Sequence, residues 1–322
     1  MKLSSSRAQY SKNHLFACSS GPPPLPSLKK NMQEEEHGTR NGQGSRFRTT
    51  IRDIQPETPT VRRFTLGSFE LLKGTEKNFQ FEAGQWVDCF VPDSDQVGGY
   101  SICSTPAQWR RDATVTLAVK SSDYPPTIWM TENAKVRYLV FFIFFLISND
   151  GYQIGSQFEL AVGGDFVLPN NLGHNLLFIA GGIGINPIIS MVQHILETNE
   201  FAGKNERPER VTVLYSAKNC KEFAFKRELE QMREHEGVIE IFYFITQNGQ
   251  HEDPTQTPNP RERVGRVGVE EIREALRSLA ADGKTNDIEA FVCGPPQMID
   301  SLQASLLSCG LPQQAIHHEK WW

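Results

Sequence analysis

Two short motifs in this sequence have the residue types and placement to handle a phosphorylated cofactor. The first runs Ile179-Ala180-Gly181-Gly182-Ile183-Gly184-Ile185-Asn186-Pro187. It follows the apolar run Asn175–Ala180 and leads into a helix-like segment, Pro187–Thr198. A strand that turns into a helix through glycines suits a pyrophosphate. Gly181, Gly182 and Gly184 put no Cβ between backbone and anion, and the first N–H groups of the helix have no intrahelical partner. Pro187 fits the first turn, where its missing N–H costs nothing. A tight turn without a ligand is the plainer reading of such a cluster taken alone. The second motif, Phe291-Val292-Cys293-Gly294-Pro295-Pro296-Gln297-Met298, ends the apolar strand Ala290–Cys293 and opens the helix Gln297–Cys309. Open parallel sheets bind ligands beyond the carboxyl ends of their strands, so both loops are expected to face one crevice.

The elements that must position these loops alternate in type. Asn175–Ala180, Val211–Ser216, Val238–Ile245 and Ala290–Cys293 read as strands. Pro187–Thr198, Phe223–Glu234, Glu270–Ala281 and Gln297–Cys309 read as helices, and a polar loop spans Gln250–Glu262. Strands alternating with helices predict βαβ units on a parallel sheet, here a nucleotide-binding α/β domain over 171–322. The preceding region, 47–170, differs. Thr49–Ile54, Val61–Leu66, Trp86–Val91, Tyr100–Ser104 and Thr114–Val119 are short strand-like runs with little helix between them. They predict a small antiparallel β-barrel or sandwich.

In order and at strand ends, Gly-Gly-Ile-Gly-Ile-Asn-Pro and Cys-Gly-Pro-Pro resemble the motifs of the ferredoxin–NADP reductase superfamily, which includes cytochrome b5 reductases, flavin reductases and oxygenase reductases. The resemblance implies that 181–187, with Gly294, Pro295 and Pro296, binds NAD or NADP, and that Cys293 lies near the nicotinamide and the flavin. It extends to the first domain. Phe81-Glu82-Ala83-Gly84-Gln85-Trp86-Val87 resembles the family's F-x-x-G-Q strand, and Gly99-Tyr100-Ser101-Ile102-Cys103-Ser104-Thr105-Pro106 resembles its R-x-Y-S-x-x-S-x-P motif. By that likeness Tyr100 packs against an FAD isoalloxazine and Ser101 bonds near its reactive nitrogen. Gly98 stands where the family has its phosphate-binding arginine, which removes a charge-assisted, bidentate hold. Val162-Gly163-Gly164-Asp165-Phe166 resumes the family pattern at the end of the barrel. Reductases of this type often cover the flavin ring with an aromatic C-terminal residue, and by that likeness Trp321 or Trp322 stacks on it, Trp322 being the expected cofactor contact.

Coenzyme choice stays open. Ser216, Lys218, Lys226 and Arg227 lie where family members that prefer NADPH hold its 2′-phosphate, while ordinary helix-surface charge explains Lys226 and Arg227 equally well.

Other features bound the function. Hydrophobic content of 39% and charged content of 22% are those of a soluble globular protein. A net charge of −5, with scattered basic residues, gives no reason to expect a nucleic-acid partner. Cys18, Cys89, Cys103, Cys220, Cys293 and Cys309 include no C-x-x-C spacing, which argues against zinc or an iron–sulfur cluster. His317 and His318 are adjacent and lack a third ligand, so no metal site is expected. From Met1 to Gln33 there is no acidic residue, while Lys2, Arg7, Lys12, Lys29 and Lys30 stand among many serines. Residues 1–46 therefore read as a mitochondrial transit peptide or a disordered tail. Val136–Ile147, VRYLVFFIFFLI, fits neither domain. Its uninterrupted apolar core, Tyr138–Ile147, is too short to span a bilayer and reads as a buried strand, with a membrane-surface anchor as the weaker alternative; the stretch 131–150 looks inserted.

Two functions follow. One is an NAD(P)H-dependent oxidoreductase that passes hydride to a flavin and electrons to a separate acceptor, since the chain carries no haem or iron–sulfur motif. The other is an NAD(H)-binding protein with a degenerate flavin site and no turnover.

Overall fold

The computed structural model describes residues 45–75, 78–92, 94–132, 155–169, 174–199, 208–236, 238–247, 260–280 and 287–320. All of them lie in one compact unit, His37–Trp322. The expectations for the basic N-terminal stretch, for most of the apolar segment 131–150 and for Trp322 fall outside the described residues. No described helix is long and apolar enough to cross a membrane.

Six strands form an antiparallel sheet: β1 Arg46–Pro56, β2 Val61–Lys73, β3 Trp86–Phe90, β4 Gly98–Ser101, β5 Thr114–Lys120 and β6 Gln157–Gly163. Their order is β4-β3-β6-β1-β2-β5. The edge strands approach at one bridge, Ile102 to Leu117. The sheet thus curls towards a barrel without a continuous closing ladder. Its interior follows the period-2 alternation of a strand with one buried face: Phe64, Leu66, Val115, Leu117, Val119, Val87, Cys89, Phe158 and Leu160 pack together. Phe81, Val87 and Ile102, from the segments that carry the flavin-type motifs, belong to the same cluster.

A short helix, α1 Pro106–Asp112, interrupts this β pattern. Its start is encoded locally. Thr105 accepts from the Gln108 N–H, Pro106 opens the first turn, and Ala113 ends the helix in the left-handed region at φ 52°. Its sequence, with Ala107 and Trp109 before two arginines and an aspartate, gives no helical stripe; Pro106 is buried, and Trp109 packs edge-on to Phe69 and Phe79.

The second sheet is wholly parallel: β7 Asn175–Gly181, β8 Val211–Ala217, β9 Ile239–Ile245, β10 Glu262–Val264, β11 Ile288–Gly294 and β12 Ile316–Lys320, in the order β10-β9-β8-β7-β11-β12. Sequence reasoning found four of these strands. The two it missed are the edges. β10 is three residues long, and β12 reads Ile-His-His-Glu-Lys, too polar to register as apolar. Four helices cover the sheet: α2 Ile185–Asn199, α3 Lys226–Glu236, α4 Val269–Leu279 and α5 Pro296–Ser308. Successive β7 residues serve opposite faces. Leu176, Phe178 and Ala180 join the cluster with α2 and α3, while Leu177 and Ile179 join the one with α4 and α5.

The helix expected over Phe223–Glu234 begins later. A 3-10 turn at Cys220–Glu222 comes first, and Phe225 has φ 57°, which breaks the helical path. Phe223, Ala224 and Phe225 are buried instead where the two sheets meet. Val61, Ala83, Cys103, Ala118 and Phe166 of the antiparallel layer belong to that same core cluster, so the domains share a continuous apolar interface. Two buried polar contacts sharpen it. Asn186 Nδ2 donates to the Ala118 carbonyl at 2.7 Å, and Ser190 Oγ donates to the Ser104 carbonyl at 2.7 Å.

Candidate functional site

Strand order reverses between β7 and β11, the place where open α/β sheets leave a crevice. β7 and β11 are direct neighbours, with Ala180 opposite Cys293. Their loops therefore leave the sheet side by side, as the strand-end argument requires. Gly182 turns the chain at φ 56° and would meet nothing with a Cβ, so it faces open space. Gly184 is different. A Cβ there would come within 2.3 Å of the Cys293 carbonyl oxygen, and one on Gly181 within 2.4 Å of Met298 Sδ. These two glycines let the motifs pack against each other. The sequence argument had assigned their smallness to the approach of a phosphate, a role that Gly182 is free to take.

The crevice is a cavity of about 460 Å³. Gly181 to Gly184, Gly294, Pro295, Gln297 and Met298 form its floor. Ser216, near the carboxyl end of β8, and Lys218 and Glu222 beyond it form one wall, and Thr246, Arg266 and Val267 continue it across the ends of β9 and β10. Val61 and Lys120 enter from the antiparallel layer, while Val267, Met298 and Leu302 give an apolar end. Lys120, Lys218 and Arg266 are in no ion pair among the described residues, against the single carboxylate Glu222 in the lining. The cavity is thus cationic, with backbone N–H groups at its floor and an apolar slot at one end: the chemistry that holds a phosphorylated adenosine. Lys226, which the sequence offered as a phosphate contact, is committed elsewhere: its Nζ lies 2.6 Å from Glu262. Arg266 was missed because a lone arginine after a three-residue strand leaves no motif.

The remaining candidates divide. Ile185, Asn186 and Pro187 are buried in the first turns of α2, and Asn186 points its amide at the antiparallel layer. Its Oδ1 is buried without a partner among the described residues. Cys293 is fully buried, in the core cluster with Ala180, Phe166 and Phe291. Pro295 and Pro296 are exposed, and Pro296 opens α5.

Tyr100 and Ser101 lie on edge strand β4, opposite Val87 and Trp86. Ser101 is buried. The Tyr100 ring folds back over Gly98, where a Cβ would come within 2.7 Å of Cε2 and 2.8 Å of the hydroxyl oxygen. That hydroxyl is 3.1 Å from Thr127 Oγ1, and Tyr124 donates to the Val97 carbonyl at 2.8 Å. Burial raises the Tyr100 phenol well above its ordinary value, so it stays neutral. The position of the family arginine is therefore filled as well as substituted. Arg110 and Arg111 leave from α1, and Arg111 pairs with its neighbour Asp112 at 2.9 Å. Among the described residues, no group of three or more His, Cys, Asp or Glu side chains converges as metal ligands would.

Comparison with known proteins agrees with this layout. Residues 178–304 match the family model described as "Oxidoreductase NAD-binding domain". Among solved structures, the flavohaem-like FAD/NAD-binding domain of nitric oxide dioxygenase from Vibrio cholerae O1 biovar El Tor superposes with a TM-score of 0.59 at 19% identity, covering 87% of this chain and 99% of that one. A ferredoxin NADP+ reductase from Neisseria gonorrhoeae, with bound FAD and NADP, gives 0.59 at 18% identity, covering 86% and 99%. These share the two-layer fold. Oxidoreductase NAD-binding domain-containing protein 1 of Danio rerio is 32% identical over 284 residues, 86% of this chain and 92% of that protein. Its Bos taurus counterpart is 32% identical over 276 residues, 84% and 78%. The chain belongs to the family of oxidoreductase NAD-binding domain-containing protein 1, within the ferredoxin–NADP reductase-like fold.

Proposed function

We propose that this protein is an NAD(P)H-dependent oxidoreductase of the flavin-reductase type that delivers electrons to a separate acceptor. The observation that carries the reading is the packing of Gly184 against Cys293. It joins the two motifs at the strand-order reversal and opens them onto one cationic cavity. Gly182 N–H and its neighbours would take the pyrophosphate, with Lys120 adding charge from the antiparallel layer. The apolar end formed by Val267, Met298 and Leu302 would take the adenine. Lys218 and Arg266 favour a coenzyme with a further phosphate on the adenosine ribose, NADPH over NADH. Tyr100 and Ser101 would meet the ring of an FAD. Bound flavin would supply the hydride acceptor and the means to release electrons singly.

The test is cofactor content and turnover. Purified protein of this type is yellow and reduces a dye with NADPH or NADH. A colourless protein that FAD does not reconstitute, with no dye reduction, would overturn the reading. One observation favours a second reading, dinucleotide binding without turnover: the crowding at Gly98, which leaves a flavin without its usual arginine. Under it, the protein binds NAD(P) and stays colourless. The acid-free stretch Met1–Gln33 supports delivery to mitochondria, testable by import and N-terminal sequencing of the mature chain.

A further inference from the structure

The wall of the cavity beyond β8 is held by side chains of the other domain. The turn between β1 and β2 presents Glu57, Thr58 and Thr60 to it. Glu57 Oε1 accepts from the Phe225 N–H at 2.5 Å, and its Oε2 accepts from Arg63 Nε at 2.8 Å. Arg63 in turn donates to Glu228 Oε1 at 2.6 Å, in the first turn of α3, and its guanidinium lies 4.5 Å from the centre of the Phe225 ring. Thr58 and Thr60 both donate to Glu222 Oε2, at 3.3 and 2.5 Å. Glu57 is nearly buried, its side chain only 11% exposed. Charge-assisted bonds in such a setting are strong ones.

The segment so held carries backbone strain. Phe225 is in the left-handed region at φ 57°, a conformation a bulky residue adopts at a cost. Between the end of β8 and α3 the chain makes one 3-10 turn, and one link to its own sheet is the Ala224 N–H donated to the Tyr215 hydroxyl at 3.0 Å. Lys218, Glu222 and Ala224 of this segment line the cavity.

We infer that Glu57 is a positioning residue for the dinucleotide, acting across the domain interface by fixing the 218–225 wall through the Phe225 N–H. This rests on the reading that the cavity takes a nicotinamide dinucleotide. When only a fraction of chains hold the wall in its binding geometry, the apparent dissociation constant rises by the reciprocal of that fraction. Dinucleotide affinity is then linked to docking of the barrel, and by reciprocity a bound dinucleotide tightens that docking.

The experiment titrates NAD+ and NADP+ into the full chain and its Glu57→Ala and Glu57→Gln variants, well below each variant's melting temperature. Glu57→Ala removes both acceptors and is expected to weaken binding of the better ligand about tenfold. Glu57→Gln keeps an oxygen for the Phe225 N–H and should recover most of that loss. Thr60→Val, which removes the shorter of the turn's two bonds to Glu222, should weaken binding in the same direction. A merely structural role would lower the melting temperature and leave the affinity of the folded protein unchanged; wild-type affinity in Glu57→Ala overturns the inference. So does equal weakening in Glu57→Ala and Glu57→Gln, because the Phe225 N–H would then not be the lever. If the unaltered chain binds neither dinucleotide, the functional reading itself fails and this inference with it.

Discussion

Gly184 and Cys293 stand so close that a single added methyl would put Cβ 2.3 Å from a backbone oxygen. No side chain can rotate away to relieve this contact, since the carbonyl belongs to β11, an interior strand paired on both sides. Gly184→Ala must therefore push α2 from β11 or distort the turn. It is expected to cost about 1–3 kcal/mol, the usual range for overpacking. A urea denaturation midpoint would read this directly. Dinucleotide affinity should fall with it, because the Gly182 turn moves too. Gly182→Ala is a useful contrast. It meets no neighbour and pays only for φ 56°, so it should destabilise less while still crowding a bound phosphate.

Restoring the family arginine should not restore a flavin site. Gly98→Arg must displace the Tyr100 ring and Pro126, both within 2.9 Å of the new Cβ. The expected outcome is a lower melting temperature with no gain in bound FAD. Tyr100→Phe removes only the hydroxyl contact with Thr127 and should cost about 1 kcal/mol, a typical net hydrogen bond. A gain of flavin absorbance in Gly98→Arg at unchanged stability would show that the ring moves aside freely, contrary to this packing.

Lys218 and Arg266, in no ion pair among the described residues, predict which coenzyme wins. Lys218 and Arg266 leave from the ends of β8 and β10, beside the apolar slot at Val267. The double variant Lys218→Gln/Arg266→Gln should weaken NADP+ about tenfold or more and leave NAD+ within about twofold. Titrations at low and at high salt should agree in direction, with the preference of the unaltered chain shrinking as salt rises. Equal losses for both coenzymes would place these cations at the pyrophosphate.

Much of this was legible in the sequence, for a physical reason in each case. β7, β8 and β11 are buried on both faces and β9 on one face and part of the other, so they read as apolar runs, and the glycine and proline punctuation beside β7 and β11 marks the two loops. What escaped depends on tertiary partners. β12 is polar because it is an edge that pairs with β11 alone. Asn186 sits inside the dinucleotide motif, yet its amide serves the domain interface, and only the folded distance to Ala118 reveals that. Glu57 lies in an unremarkable turn, and its partner Phe225 is far away in sequence. Gly98 was visible as a departure from the family pattern. That the vacated space is filled by Tyr100 was not, because the closing contact comes from Thr127.

His194 offers a prediction of opposite character, in which acid weakens the fold. It lies on α2, with Nδ1 buried and unpartnered among the described residues. Burial lowers its pKa below the ordinary 6.5; Glu197 partly opposes this and the charge of Arg110 adds to it. Above that ordinary value the imidazole is neutral in both folded and unfolded chains, so it contributes nothing to pH dependence. As pH falls through it, the unfolded chain takes up a proton that the folded chain resists, and stability is lost. Stability should therefore drop between neutral pH and the acid side of 6.5 by more in the unaltered protein than in His194→Gln. Denaturation midpoints at both pH values, measured for the pair, isolate this residue from the carboxylates, which titrate alike in each. Parallel midpoints across that range would mean that Glu197 compensates the burial in full.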